Sequence, residues 1–468
     1  MIHKALTWIT AVLENLFFAG IIFGWANIEP ILVKEGYFSE SCLNASAPNN
    51  VTLVTRVAYD CESQQKELSL VFTLSTSIGL LCTLLVGPAL DFFGTWIVRT
   101  VLVNIGVLAL LATGVAKSWM LYITFPVMYI SGLGIHVTNF QMSKMFANNR
   151  NLYVSSISGA LMSASLTFLI FSFLYDKYGI EYETFFTVYA VIYAFLNLRT
   201  FLFTPKMRAP ENTSDDFKYG YKQLTCSKET EPDSEILIQN DDGDTSTGFK
   251  AFACSLLNIT AVLSINVANY LYVIYMSTFN LFISTLFENE HKEVVENTLF
   301  YDKVMGSLMF VAFLICLLYG AMANFFMSKL SPDTSVGQIK YCLIGLFIGS
   351  ACTIGMQACT IVSSTKLQYL SMALYVGGRA LLISASNTFL SVIFPAKIFG
   401  RLYCVMSVTR SLLFLTVHPL QLFLDDVLNK NFVVFNSLLT ALAFLTLVQP
   451  LYVLYWLKNG MYETNPIE

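Results

Sequence analysis

Pro205-Lys206-Met207-Arg208 opens a polar stretch that runs through Asp215-Asp216 and Pro232-Asp233 to Asp241-Asp242-Gly243-Asp244 and closes at Gly248. It has almost no aliphatic periodicity, so it cannot bury a face and reads as a linker. On either side lie about two hundred residues dominated by Leu, Ile, Phe, Val, Ala and Tyr. A polar hinge between two apolar halves of similar length is the outline of a duplicated membrane protein.

Composition agrees. The chain is 55% hydrophobic, 12% charged and 14% aromatic, with a mean hydropathy of +0.61; soluble domains carry about 25% charge. The net charge of −4 gives no reason to expect nucleic acid as a partner. Ten cysteines show no metal-site spacing, and neither a metal nor any other cofactor is expected. Apolar runs of membrane-crossing length, ~20 residues, fall near Leu6–Val33, Leu68–Leu90, Ile97–Val115, Met120–Met142, Leu152–Tyr175 and Thr184–Phe203. After the linker come Phe249–Phe287, Leu299–Phe325, Tyr341–Val362, Leu367–Phe394, Leu402–Leu424 and Phe432–Leu457. The expected fold is an all-α membrane protein of twelve transmembrane helices in two six-helix bundles. The bundles cover 1–204 and 249–457, joined by a cytosolic linker, 205–248, and followed by a cytosolic tail, 458–468. The first run is too long for a signal peptide and lacks a cleavage site, so it is expected to be retained.

Basic residues orient the chain. With both termini cytosolic, that side holds Lys4, Arg99, Lys144, Arg150, Arg199, Lys206, Arg208, Lys329, Lys340, Lys397, Arg401 and Lys458. The opposite loops are acidic, with Asp176, Glu181 and Glu183 in one and Glu288, Glu290, Glu293 and Glu296 in another. The outer loop, 34–66, carries the glycosylation sequons Asn44-Ala45-Ser46 and Asn50-Val51-Thr52. It also holds Cys42 and Cys61, which an oxidising compartment would allow to pair. A multi-pass protein of the plasma membrane, acting as a monomer in the lipid bilayer, is the expectation.

Between the second and third runs stands Gly87-Pro88-Ala89-Leu90-Asp91-Phe92-Phe93-Gly94, with Arg99 beyond it. This resembles the gating-loop signature of the major facilitator superfamily, G-x-L-x-D-R-x-G-R, with Gly87, Asp91, Gly94 and Arg99 as the matching positions. Phe92 departs from it, standing where a basic residue is usual. The second half has Gly320-Ala321-Met322-Ala323-Asn324 as the counterpart, with Asn for Asp. A narrower resemblance rests on Leu13-Glu14-Asn15-Leu16-Phe17-Phe18, Thr138-Asn139-Phe140-Gln141, Arg199-Thr200-Phe201-Leu202 and Ser386-Asn387-Thr388-Phe389-Leu390. Together these are similar to solute carrier family 43, which comprises facilitative large-neutral-amino-acid transporters and an equilibrative nucleobase transporter. The last three segments look more like the nucleobase branch; Ala11-Val12-Leu13-Glu14-Asn15 and Tyr275-Met276 before Asn280 look more like the amino-acid branch.

That superfamily lines its path with the first, fourth, seventh and tenth helices, and polar stripes recur there at helical spacing. They bring Glu14, Phe18 and Trp25 onto one face, His136 and Asn139 onto another, then Asn269, Tyr272 and Asn280, and finally Arg379, Ser386 and Asn387. Amides, aromatic faces and hydroxyls suit a small, planar or amphipathic neutral solute. Each polar position also admits a plain reading as glue between helices, and Trp25 one as an interfacial anchor. Glu14 and Arg379 differ, because a mid-membrane charge costs about 2.5–3.5 kcal/mol on insertion scales and must face a partner or a wet cavity. On the fifth helix Ser155, Gly159, Ser163 and Thr167 form a small-residue stripe fit for close packing.

The expected function follows: a sodium-independent, facilitative transporter, not an enzyme, working by alternating access on a small neutral metabolite. Purine nucleobases lead, large neutral amino acids are the alternative, and a non-transporting receptor or scaffold is the third reading. Facilitation is inferred from the scarcity of embedded carboxylates, only Glu14 being clearly inside and Glu29 near the outer end.

Overall fold

The computed structural model describes residues 2–43, 62–207, 255–287, 294–330, 335–393 and 396–459. Asn44, Asn50, Cys61 and nearly all of the linker lie outside them; Cys42 takes part in a disulfide. The described residues form helices and turns without strands. We number the membrane helices α1 (His3–Ala19 with Ile21–Lys34), α2 (Ser63–Leu90), α3 (Phe92–Gly114), α4 (Ser118–Phe146), α5 (Arg150–Tyr178) and α6 (Tyr182–Phe203). The second half has α7 (Leu256–Leu286), α8 (Asn297–Phe326), α9 (Gly337–Ile361) and α12 (Phe432–Lys458). Between the last two run α10 (Thr365–Ile393) and α11 (Ala396–Leu415), which are long enough to cross but more polar. The result is the two-bundle, twelve-helix membrane architecture expected from the apolar runs.

Helix α1 is broken. It bends by 52° where a π-turn, Asn15–Ala19, meets a 3-10 turn, Ile21–Gly24. Gly20 sits at the junction with φ −121°, and a Cβ there would come within 2.5 Å of the Leu161 carbonyl oxygen. Gly132 of α4 admits the other side, since a Cβ on it would lie 2.4 Å from the Ala19 oxygen. Breaking a helix in a membrane strands carbonyls that must find donors. The Phe17 oxygen finds two, Thr167 Oγ1 at 2.9 Å and the Tyr189 hydroxyl. Only small residues at these crossings let the neighbours come close enough to supply them.

The halves meet along α5 and α8 through the small-residue stripe. A Cβ on Gly159 would stand 2.6 Å from Cys316 Cβ, and one on Gly320 2.6 Å from Ser155 Cβ. Ser163 donates to the Met309 carbonyl at 2.7 Å and accepts from the Phe313 amide at 3.1 Å. The second-half counterpart of the signature, Gly320–Asn324, lies within a helix that runs on to Leu330, inside the expected apolar run Leu299–Phe325. In the first half the turn is real. Gly94 has φ 77° and ψ 171°, open only to glycine without strain. The turn packs on the chain leaving α6, with Thr95 Oγ1 donating to Met207 O at 2.9 Å and Trp96 Nε1 to Thr204 O at 3.0 Å. Apolar side chains such as Leu85, Leu108, Leu318 and Leu412 stay exposed on the outer faces, where lipid would cover them.

Candidate functional site

The expected site residues separate into groups. Glu14 is buried at 3% exposure in the proximal half of α1, toward the chain termini. Both its oxygens accept from Arg99 Nη2 at 2.8 Å, and Oε2 also accepts from Arg199 Nη1 at 2.6 Å and Asn139 Nδ2 at 2.9 Å. The arginines are held in turn. Arg99 donates to Thr138, Asn139 and Thr200, and Arg199 to Thr10, Asn139 and the Thr7 carbonyl. Four helices of one bundle are thereby locked around a single carboxylate. Glu14 and Asn139 lie in this network and not in the cavity wall. The same contacts correct the orientation argument: Arg99 and Arg199 are buried inside the bundle, so they do not count as basic residues at a membrane surface.

Phe18 and Trp25 are ring-packed away from the cavity. Phe18 stacks on Tyr189 at 5.6 Å and meets Tyr193 edge-on at 5.4 Å. Trp25, 1% exposed, lies among Phe72 and Phe125 and is no interfacial anchor. Ser386 is buried with its hydroxyl unpartnered and outside the cavity wall. Of the loop residues, Gly87 has open space around it, Gly94 makes the turn, and Arg99 belongs to the Glu14 network.

The remaining candidates, Asn280 apart, converge. A cavity of about 90 Å³ between the halves is lined by His136, Asn269, Tyr272, Arg379 and Asn387, from α4, α7 and α10. That is room for several waters. Phe23, Phe72, Tyr129, Leu133, Leu161, Met162, Val273, Met276, Ile383 and Phe414 give it an apolar lining. Arg379 Nη1 donates to the Tyr375 hydroxyl at 2.9 Å, its guanidinium carbon lies 4.2 Å from the Phe23 ring centre, and its Nε has no partner among the described residues. Tyr375 is fixed by stacking on Tyr275 at 5.1 Å and by Tyr272 edge-on at 5.4 Å. The Tyr272 and Tyr275 hydroxyls bond Thr353 and Ser371. A rigid aromatic frame therefore aims Arg379.

His136 can be assigned a tautomer. Asn15 donates through Nδ2 to the Ala11 carbonyl at 2.7 Å, which leaves its Oδ1 to face His136 Nδ1 at 2.7 Å. Nδ1 must then carry the hydrogen, and Nε2 of the neutral ring is an acceptor. Donors on α7 and α10 thus oppose an acceptor on α4. Asn280 sits elsewhere, in a second pocket of about 50 Å³ at the distal end, opposite the termini, with Glu29, His418 and Gln421.

Among the polar wall residues, Ser158 and Arg410 escaped the sequence reading. Ser158 of α5 has a buried, unpartnered hydroxyl, and Arg410 of α11 donates from Nε to Asn266 Oδ1 at 3.4 Å. Arg410 carried the same signal as Arg379, a cation inside an apolar helix, but on a helix outside the expected four.

A family model described as "Major Facilitator Superfamily" matches residues 37–416. The chain is 22% identical over 480 residues to the bovine protein named "Equilibrative nucleobase transporter 1", covering 96% of each chain. It is also 22% identical to human "Large neutral amino acids transporter small subunit 3", over 96% of this chain and 92% of that one. Among solved structures, a bacterial homologue of the human lysosomal transporter Spinster aligns with a TM-score of 0.55 at 12% identity, over 97% of this chain and 95% of that one. That likeness is one of fold.

Proposed function

This chain belongs to the Major Facilitator Superfamily, is similar to solute carrier family 43, and is a membrane transporter and not an enzyme; from that premise we propose that its solute is a purine nucleobase, moved by alternating access. The observation that carries the reading is the unpaired Nε of Arg379, held by Tyr375 beneath Phe23 and opposed by His136. A purine presents acceptor nitrogens and donor N–H groups on the edge of a flat ring. Arginine supplies donors only, Asn269 and Asn387 supply both kinds, and His136 supplies an acceptor. Phe23, Tyr129 and Tyr375 offer ring faces for stacking.

A second reading, a large neutral amino acid, has its own support. Arg379 and Arg410 both line the cavity, and no carboxylate stands among its lining residues. A guanidinium fork suits a carboxylate bidentately. Uptake of labelled adenine and labelled leucine, measured side by side in cells expressing the chain, separates the two. Adenine uptake competed by other purines is expected; leucine uptake alone would transfer the assignment, and uptake of neither would return it to a receptor or scaffold.

We further propose a plasma-membrane carrier with cytosolic termini and linker and an extracellular distal end. Lys4, Lys206 and Lys458 cluster toward the termini, and the acidic loops are distal. Asn44 and Asn50 are its proposed glycan sites and Cys61 the proposed partner of Cys42. Each chain has its own cavity, so a monomer suffices. Downhill movement without an ion follows from a scarcity of embedded carboxylates. Glu14 fits it, being neutralised by two arginines. Asp302 does not.

A further inference from the structure

Asp302 of α8 belongs neither to the cavity nor to the Glu14 network. It is 2% exposed, and among the described residues neither of its carboxylate oxygens has a hydrogen-bond partner. Its sequence neighbours are engaged elsewhere: the Tyr301 hydroxyl donates to the Thr365 carbonyl at 2.9 Å, and Lys303 reaches Asp176 at 3.0 Å. One turn further along α8, Gly306 lets α1 approach closely. A Cβ at Gly306 would lie 3.0 Å from Asn27 Nδ2 and 3.1 Å from Asn27 Oδ1. Asn27 is 4% exposed, and its Oδ1 is also unpartnered.

Two residues along α1 is Glu29, the charged group that acts electrostatically on Asp302. Glu29 accepts from Asn280 Nδ2 of α7 at 2.9 Å and from Trp25, and it lines the distal pocket. Asn280 Oδ1 is a further orphan acceptor. The Asn280 amide and Trp25 donate to Glu29 and not to Asp302, while Asp302, Asn27 and Asn280 all present oxygens that lack a hydrogen. Ionised, Asp302 would be a buried anion beside a second anion in a site with surplus acceptors. A proton on it removes the buried charge and gives the carboxyl group a hydrogen to donate.

The other titratable groups on helices packed against α8 do not fill that role. Asp176 of α5 is tied to Lys34 of α1 and to Lys303. Tyr369 of α10 stacks on Tyr301 at 5.0 Å, with Lys366 near the same end; Tyr275 of α7 is bound to Ser371, and α9 brings Cys359. Polar contacts join the halves distally, among them Glu29 to Asn280, Lys66 to Asp426, Asp176 to Lys303, and Ser69 to Gln421. Glu29 and Asp302 come from opposite halves. Two negative charges there would oppose this closure, and one proton relieves the repulsion.

We propose that Asp302 is a proton-binding site, reached from the distal end through the pocket at Glu29, and that bringing the halves together there requires the proton. Solute movement is then coupled to a proton travelling the same way. The inference rests on the transport reading, so its test has one arm that uses no solute. In that arm, infrared difference spectra of the purified full chain are recorded across a pH titration. Wild type should show the carbonyl band of a protonated carboxyl group at near-neutral pH, missing from Asp302→Asn. Absence of the band in wild type overturns the proposal whatever the solute is.

The second arm uses proteoliposomes and labelled adenine. Exchange across equal pH tests the transport reading; accumulation driven by a one-unit inward acid gradient tests coupling. Wild type should exchange adenine and also accumulate it, by up to about tenfold for one unit, collapsing with a protonophore. Asp302→Asn should exchange without accumulating. Exchange with no accumulation in wild type, accumulation driven by sodium in place of acid, or accumulation by Asp302→Asn equal to wild type would each overturn it.

Discussion

The two halves each bury arginine in the membrane and treat it differently. In the first half Arg99 and Arg199 surround Glu14, and Asn139, Thr138, Thr200 and Thr10 take up the remaining donors. In the second half Arg379 bonds Tyr375, rests on Phe23 and leaves Nε unpaired at a cavity. From sequence Glu14 and Arg379 raise the same question, since each is a charge inside an apolar helix. What separates them is whether the protein already meets the demand of the charge. A saturated charge holds helices together, and an unsaturated one beside open space has something left to bind.

The comparison breaks most visibly at Glu14. Removing one partner of a buried ion pair costs about 3–5 kcal/mol, because the other charges stay buried and uncompensated. Glu14→Ala should therefore fail to give a monodisperse peak in detergent, or reach the membrane only at a small fraction of the wild-type level. A well-folded Glu14→Ala that has lost only transport would move Glu14 from scaffold to site.

Arg379 should respond in the opposite way. Arg379→Gln removes a hydrogen bond of the charged kind, about 1.5–3 kcal/mol, so adenine uptake should fall roughly 10- to 100-fold while the melting temperature stays near wild type. Arg379→Lys should be impaired as well, because the ammonium lacks the fork. If leucine is carried too, Arg379→Gln should abolish that activity, since a carboxylate needs the charge.

Gly159→Val tests the seam where the halves meet. Its side chain would drive into Cys316, an overpacking that costs about 1–3 kcal/mol. A melting temperature lower by a few degrees is expected, with exchange slowed because α5 and α8 can no longer slide past one another. The smallest effect belongs to Lys66→Ala. The pair with Asp426, at 3.3 Å, is exposed, and such pairs contribute about 0–1 kcal/mol; no resolvable shift in melting temperature is expected.

The twelve helices were legible because a membrane leaves few alternatives to ~20-residue apolar runs. Periodicity also placed Asn269, Tyr272, Arg379 and Asn387 on the cavity side of their helices. It could not tell Glu14 from Arg379, because the arginines that neutralise Glu14 lie 85 and 185 residues away along the chain. Trp25 looked like an anchor near a helix end, yet the bend at Gly20 and the crossing of α4 turn it inward. Asp302 stands between Tyr301 and Lys303 inside the run Leu299–Phe325 and drew no expectation. The ion pair of Lys303 with Asp176 turns that lysine away, and the burial of Asp302 leaves the carboxylate inside.

Equilibrium binding of labelled adenine to the purified wild-type chain and to Arg379→Gln, with melting temperature recorded on the same samples, tests the central claim most directly. The account predicts saturable binding by wild type, at least tenfold weaker binding by Arg379→Gln, and melting temperatures that agree within a few degrees. Equal affinity in two folded proteins, or no saturable binding by wild type, would contradict it.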